Sequence, residues 1–166
     1  MAVGRAEVGC WIVKCNPTTG TDYFGMIDAA APPDESTALH TDDWCLSPRS
    51  GRSALVEPGD LVALWVTGAK FPGVYEFGWV TDNRSDDVPG GRKLHYQAVR
   101  LGRDHHIPRS LIQATPALAR CEQLRAPMMS NPSYLTADEA RALAVLIADR
   151  RPAEAVAAAR WAALLE

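Results

Sequence analysis

Trp44 and Cys45 stand side by side in the stretch DDWCLSPRSG, residues 42–51, with two carboxylates before them and a Pro-Arg-Ser-Gly turn after them. A tryptophan offers a large stacking face and one polar N–H, so it can hold a flat ligand at the mouth of a pocket or staple a loop to a core. The neighbouring residues leave both roles open for Trp44. Trp11 and Trp79 lie inside strand-like runs and read first as core. Trp65 ends an apolar run just before Thr67-Gly68 and divides evenly between core and pocket.

Metal and nucleophile chemistry finds little footing. Cys10, Cys15, Cys45 and Cys121 lack the paired spacing of a zinc ribbon, and Cys10 and Cys15, five apart, face opposite sides of a strand. His105 and His106 are adjacent, point apart on any regular element, and read as a surface turn, while His40 is isolated. No G-x-S-x-G, H-E-x-x-H or P-loop spacing occurs, and PGGR at 89–92 reads as hairpin geometry. No metal, cofactor or catalytic residue is expected.

These residues need a frame. CWIVKC (10–15) is apolar and β-branched and stops at Asn16-Pro17, which predicts a buried strand. TDYFGMIDAAA (21–31) has helical spacing and ends at Pro32-Pro33; the stretch through 51 reads as a loop with at most a short strand. Strands are expected near 60–67, 73–81 and 93–101, the last two joined by the polar loop NRSDDVPGG. IPRSLIQATPALA (107–119) suggests one or two helical turns, and 136–150 is the clearest helix, with Thr136 and Glu139 forming a capping box. The order strand, helix, strands, helices predicts an α+β fold built on a small curved mixed sheet or open barrel with peripheral helices.

Bulk properties bound the rest. The chain of 166 residues, 47% hydrophobic, fills one core, read as a domain over 1–151 with a C-terminal helical extension over 152–166. The extension is expected to pack on its own domain, favouring a monomer over a dimer. A net charge of -3 argues against nonspecific coating of nucleic acid but permits a local site. There is no apolar run of about 18 residues and no signal-peptide pattern at the start, so a cytoplasmic protein with free thiols and no membrane partner is expected.

WIVKCNP, DDWCLSPRS, EPGDLVALWVTG, PGVYEFGWV and APMMSNPSYLTADEARAL fall in the order and spacing of the EVE domain, and together they cover about Trp11 to Asp149. The chain therefore resembles that family, a member of the PUA-like superfamily related to YTH and ASCH domains. In YTH relatives a strand end and a Trp-containing segment border a cage for a methylated base; Lys14-Cys15-Asn16 and Trp44-Cys45 match them here. The resemblance implies a reader that flips a modified base of DNA or RNA into an aromatic pocket, with no enzymatic activity of its own and an effector protein supplied in trans.

On that reading Trp44 is a cage wall, the Cys45 backbone and the side chains of Asn16 and Thr67 read base edges, and Lys14 meets a phosphate. Ser130 and Asn131, in SNPS, match a backbone-contacting segment, although Tyr134 stands where an Arg often follows. The loop after the GVYEFGWV strand lacks the further cage aromatics of YTH domains, so Trp65, Tyr96 and Trp11 are candidates for a second wall. The alternative is an ASCH-like nucleoside or nucleotide amidohydrolase using Lys14, Thr67 and Glu76, whose lysine would need a depressed pKa.

Overall fold

The computed structural model describes residues 2–29, 39–84, 92–129 and 131–166. Ser130 and most of the hairpin loop expected at 83–91 lie outside these residues. β1 (Cys10–Cys15) pairs parallel with β3 (Leu61–Val66) and antiparallel with β7 (Ser133–Leu135). β3 pairs antiparallel with β4 (Gly73–Arg84), β4 with β5 (Arg92–Arg100), and β5 with β2 (Leu39–Leu46). The order β2-β5-β4-β3-β1-β7, with the two-residue β6 (Ile107–Pro108) beside the start of β4, makes a mixed, curved, seven-stranded sheet that does not close into a barrel. This is the expected α+β, PUA-like arrangement.

The stretch around Trp44, expected as a loop with at most a short strand, is instead the eight-residue edge strand β2, in register with β5 from Leu39↔Val99 to Leu46↔Arg92. Its inward positions carry His40, Asp42 and Trp44, so no apolar alternation betrays it.

Side-chain alternation splits the interior in two. One face of the sheet, with Ile12, Ala63, Trp65, Val74 and Phe77, packs under α5 (Ala137–Ala148). The other face, with Trp11, Val13, Leu64, Tyr75 and Tyr96, is covered by Tyr23 and Phe24 of α1 (Tyr23–Ala29). Cys10 falls in the first core and Cys15 in the second, as their spacing requires. α5 starts with the expected box: the Glu139 N–H donates to Thr136 Oγ1 at 3.3 Å and the Thr136 N–H to Glu139 Oε2 at 2.8 Å.

Past Pro152, α6 (Ala153–Ala158) contributes Ala155 and Val156 to the first core, followed by Ala159 and Trp161. Trp161 is fully buried, meets Phe77 edge-on and donates its indole N–H to the Gly78 carbonyl at 2.9 Å. No helix among the described residues is long and apolar enough to cross a membrane.

Candidate functional site

Because β1 and β3 run parallel with Cys15 opposite Val66, the residues that follow them, Asn16 and Thr67, emerge at the same edge of the sheet. The Thr67 N–H donates to the Cys15 carbonyl at 2.8 Å and its hydroxyl to the same oxygen at 3.2 Å. Asn16 Oδ1 accepts from the Thr18 N–H at 3.1 Å and the Thr18 hydroxyl at 2.7 Å, so its acceptor holds the turn while its amide NH2 remains for other partners. Gly68 takes φ 99°, a left-handed turn that a side chain would strain.

Asn16, Trp65, Thr67, Arg109, Gln123 and Met128 line a cavity of about 260 Å³. Gln123, on α4 (Glu122–Arg125), is 3% exposed, and its Oε1 has no hydrogen-bond partner among the described residues. Nothing in the pattern around Gln123 marks it as inward-facing, and sequence reasoning missed it together with Arg109 and Met128.

A second neighbourhood adjoins β1. Asn131 Oδ1 accepts the Lys14 N–H at 2.8 Å, its Nδ2 donates to the Lys14 carbonyl at 3.1 Å, and its own carbonyl accepts the Ser47 N–H at 2.9 Å. One asparagine thus ties the end of β2, just past Trp44 and Cys45, to β1. The Lys14 ammonium donates to the Met129 carbonyl. Burial lowers its pKa, Glu122 pulls it back up and Arg52 pushes it down. Arg52 and Glu122 form a two-pronged pair with both bonds at 2.7 Å.

Trp44 is half-buried against the second core, and its indole N–H donates to the Tyr96 hydroxyl at 2.8 Å. The Tyr96 hydroxyl in turn lies 3.3 Å from Glu76 Oε1. Cys45 is exposed and Cys15 buried, its thiol pushed up to about 11 by burial and then by the charges of Glu76 and Asp42. Of the candidates for a second wall, Trp11 and Tyr96 are buried too deeply to present a face, and Trp65 borders the cavity with 4% of its surface exposed.

Ser130 lies outside the described residues, and the other eight expected site residues fall into groups. Asn16, Trp65 and Thr67 share the cavity. Lys14 and Asn131 are bonded to each other and, through Ser47, to the end of β2 that carries Trp44 and Cys45; Cys15 sits between the groups on β1. Trp44 is not a wall of the cavity itself.

The trio of the amidohydrolase alternative is not assembled. Lys14 alternates with Val13 and follows Ile12 onto the first face, and its charged neighbours are Glu122 and Arg52. Glu76 alternates with Phe77 and so turns to the second face, where it meets His40 and Tyr96. The sheet itself separates the base from its carboxylate. His40, read as isolated, is not: it meets Glu76 at 2.5 Å, with Asp42 beside them. The spacing His40-x-Asp42 carries this signal once β2 is known to be a strand.

Comparison with protein-family profiles gives no match, and comparison with curated proteins gives none. Solved structures do match. A hypothetical protein from Leishmania major superposes with a TM-score of 0.59 at 15% identity, covering 87% of this chain and 98% of that one. The DUF55 domain of human thymocyte nuclear protein 1 gives 0.56 at 14% identity, covering 86% and 98%. Human THYN1 protein in complex with 5-methylcytosine-containing DNA gives 0.54 at 13% identity, covering 78% and 92%. At such identities the likeness is one of fold alone.

Proposed function

We propose that the chain is a non-enzymatic reader of the EVE type that binds a modified base flipped out of DNA. The observation that carries this reading is Trp44: a half-buried indole on an edge strand whose only polar atom is already bonded to Tyr96. Its orientation is locked and its N–H is satisfied, so what it has left to offer a ligand is its ring. A flipped base loses its stacking in the duplex, and an aromatic wall restores about 1–3 kcal/mol of it.

The polar groups suited to reading base edges lie at two places. The Cys45 backbone is next to Trp44 on the exposed end of β2, whereas the Asn16 amide and the Thr67 hydroxyl line the cavity at the end of β1 and β3; at either place an unpaired group would penalise the wrong base. Lys14 and Asn131, bonded to each other, flank the path of the strand backbone. DNA is favoured over RNA because a protein of the same fold, human THYN1, is seen in complex with 5-methylcytosine-containing DNA.

The test is titration of fluorescent single- and double-stranded oligonucleotides, carrying 5-methylcytosine or unmodified cytosine and in DNA and RNA forms, with wild type, Trp44→Phe and Trp44→Ala. Trp44→Phe is expected to keep most of the affinity, whereas Trp44→Ala loses roughly ten- to a hundredfold. Equal binding of a modified strand by Trp44→Ala and wild type refutes the stacking role. Binding of none of the modified strands by wild type refutes the reader.

A further inference from the structure

We propose that His40, Asp42 and Glu76 form a divalent metal site of the zinc type inside the curve of the sheet. The three residues come from two strands. His40 and Asp42 are two apart on β2 and so point the same way, and Glu76 reaches them from β4, with β5 and its Tyr96 between. One ligand atom from each lies within 4.8 Å of the others.

A carboxylate cluster alone would mean little, but two orphaned atoms point to a missing partner. Glu76 is 0% exposed; its Oε1 faces His40 Nε2 and the Tyr96 hydroxyl, while its Oε2 has no hydrogen-bond partner among the described residues. Asp42 Oδ1 accepts the Asp43 N–H at 2.8 Å, and its buried Oδ2 likewise has none. A buried ionised carboxylate left half-satisfied is costly, and two of them facing one another repel. A cation that accepts one oxygen from each carboxylate and the imidazole nitrogen satisfies all these groups at once.

The donor set selects the ion. One imidazole and two carboxylates are borderline ligands that suit Zn²⁺ better than Mg²⁺ or Ca²⁺, which take oxygen-only shells of six or more. Three protein ligands also match zinc sites that keep a fourth position open. Bonds of about 2.0–2.2 Å set tetrahedral donors roughly 3.3–3.5 Å apart, so ordinary side-chain adjustment on edge strand β2 closes the cluster. Tyr96, hydrogen-bonded to Glu76, supplies the outer support that metal carboxylates ordinarily have. Arg100 adds a fixed positive charge near Asp42, and against two carboxylates it leaves a net negative site among these residues.

The probe is Zn²⁺ alone, added to metal-stripped full-length protein in the Cys45→Ser background so that the exposed thiol takes no part. Isothermal titration is expected to show one ion per chain and thermal melting a higher Tm on saturation. Co²⁺ should give the ligand-field absorption of a four-coordinate N/O site. Asp42→Asn and His40→Gln, both at half-buried positions, are expected to melt cooperatively without metal and to bind Zn²⁺ at least about tenfold more weakly. Glu76→Gln, isosteric but in the core, is read alongside them. The proposal fails if the parent protein binds no Zn²⁺ below millimolar concentration, or if Asp42→Asn and His40→Gln bind it as tightly as the parent. It rests on none of the DNA titrations, so the reader and the metal site stand or fall separately.

Discussion

Replacing Trp161 tests whether the C-terminal residues belong to the fold in solution. The indole is fully buried, stands edge-on to Phe77 with ring centres 5.9 Å apart, and donates to the Gly78 carbonyl on β4. Truncating a buried Trp to Ala costs about 3–5 kcal/mol through lost transfer and cavity terms. For a chain of this size each kcal/mol lowers the Tm by about 2–4 °C, so Trp161→Ala should melt roughly 6–20 °C below wild type. Trp161→Phe keeps the contact with Phe77 but abandons the Gly78 carbonyl, for a loss of about 1–2 kcal/mol. A chain ending at Arg151 also gives up Ala155, Val156 and Ala159, and should show no cooperative melt. The assay is differential scanning calorimetry paired with light scattering of each protein. If Trp161→Ala melts within about 3 °C of wild type, or the chain ending at Arg151 folds as a monomer while wild type is a dimer, the segment serves an interface and the packing argument is wrong.

Two further outcomes follow from the polar contacts. Asp60 accepts from Arg5, from the Trp11 indole and from the Glu57 N–H; burial alone would raise its pKa, but these donors together hold it below the usual carboxylate range. A depressed folded-state pKa contributes stability that is present above the unfolded value of about 3.9 and is lost as pH falls through the folded one. The Tm gap between wild type and Asp60→Asn should therefore be widest at neutral pH and shrink on acidification; a gap independent of pH contradicts this. Thiol labelling under native conditions should modify exposed Cys45 first, while buried Cys10, Cys15 and Cys121 react only on unfolding. Rapid native labelling of Cys15, whose pKa is pushed up to about 11, would show that β1 opens at its end.

How much of this was legible depended on whether the information was local. CWIVKC and VEPGDLVALWVTG announce strands because both of their faces are buried, and TADE announces a helix because the capping box lies within four residues. β2 was illegible for the opposite reason. LHTDDWCL turns its polar residues inward, so the rule that inward means apolar reads it as a loop. The same inversion hid the cluster at His40: its partner Glu76 is 36 residues away, and only the β2-β5-β4 pairing brings them together. Gln123 lies on a one-turn helix where periodicity has no room to show a face. The family resemblance placed Asn16, Thr67 and Trp44 in order along the chain, but not on the two sides of the sheet.

That division has a physical consequence for how the molecule holds a ligand. The face under α5 is almost purely apolar, and its packing fixes the sheet. The opposite face gives up apolar area to Glu76, Asp42, His40 and the hydroxyls of Tyr23 and Tyr96, groups that lower stability unless each is satisfied. Burial, then the Glu76 charge, drives the Tyr23 and Tyr96 pKa values upward, so both hydroxyls stay protonated, and that of Tyr96 donates to Glu76 Oε1. Tyr96 is the hinge of the arrangement, since its oxygen accepts from Trp44 on one side and faces Glu76 on the other. A ring that must stack on a base gains nothing from mobility, because ordering it would subtract from binding. Spending core volume on a chain from Glu76 through Tyr96 to Trp44 makes sense if the chain fixes the indole before any ligand arrives, and an apolar core could pack Trp44 but not orient it.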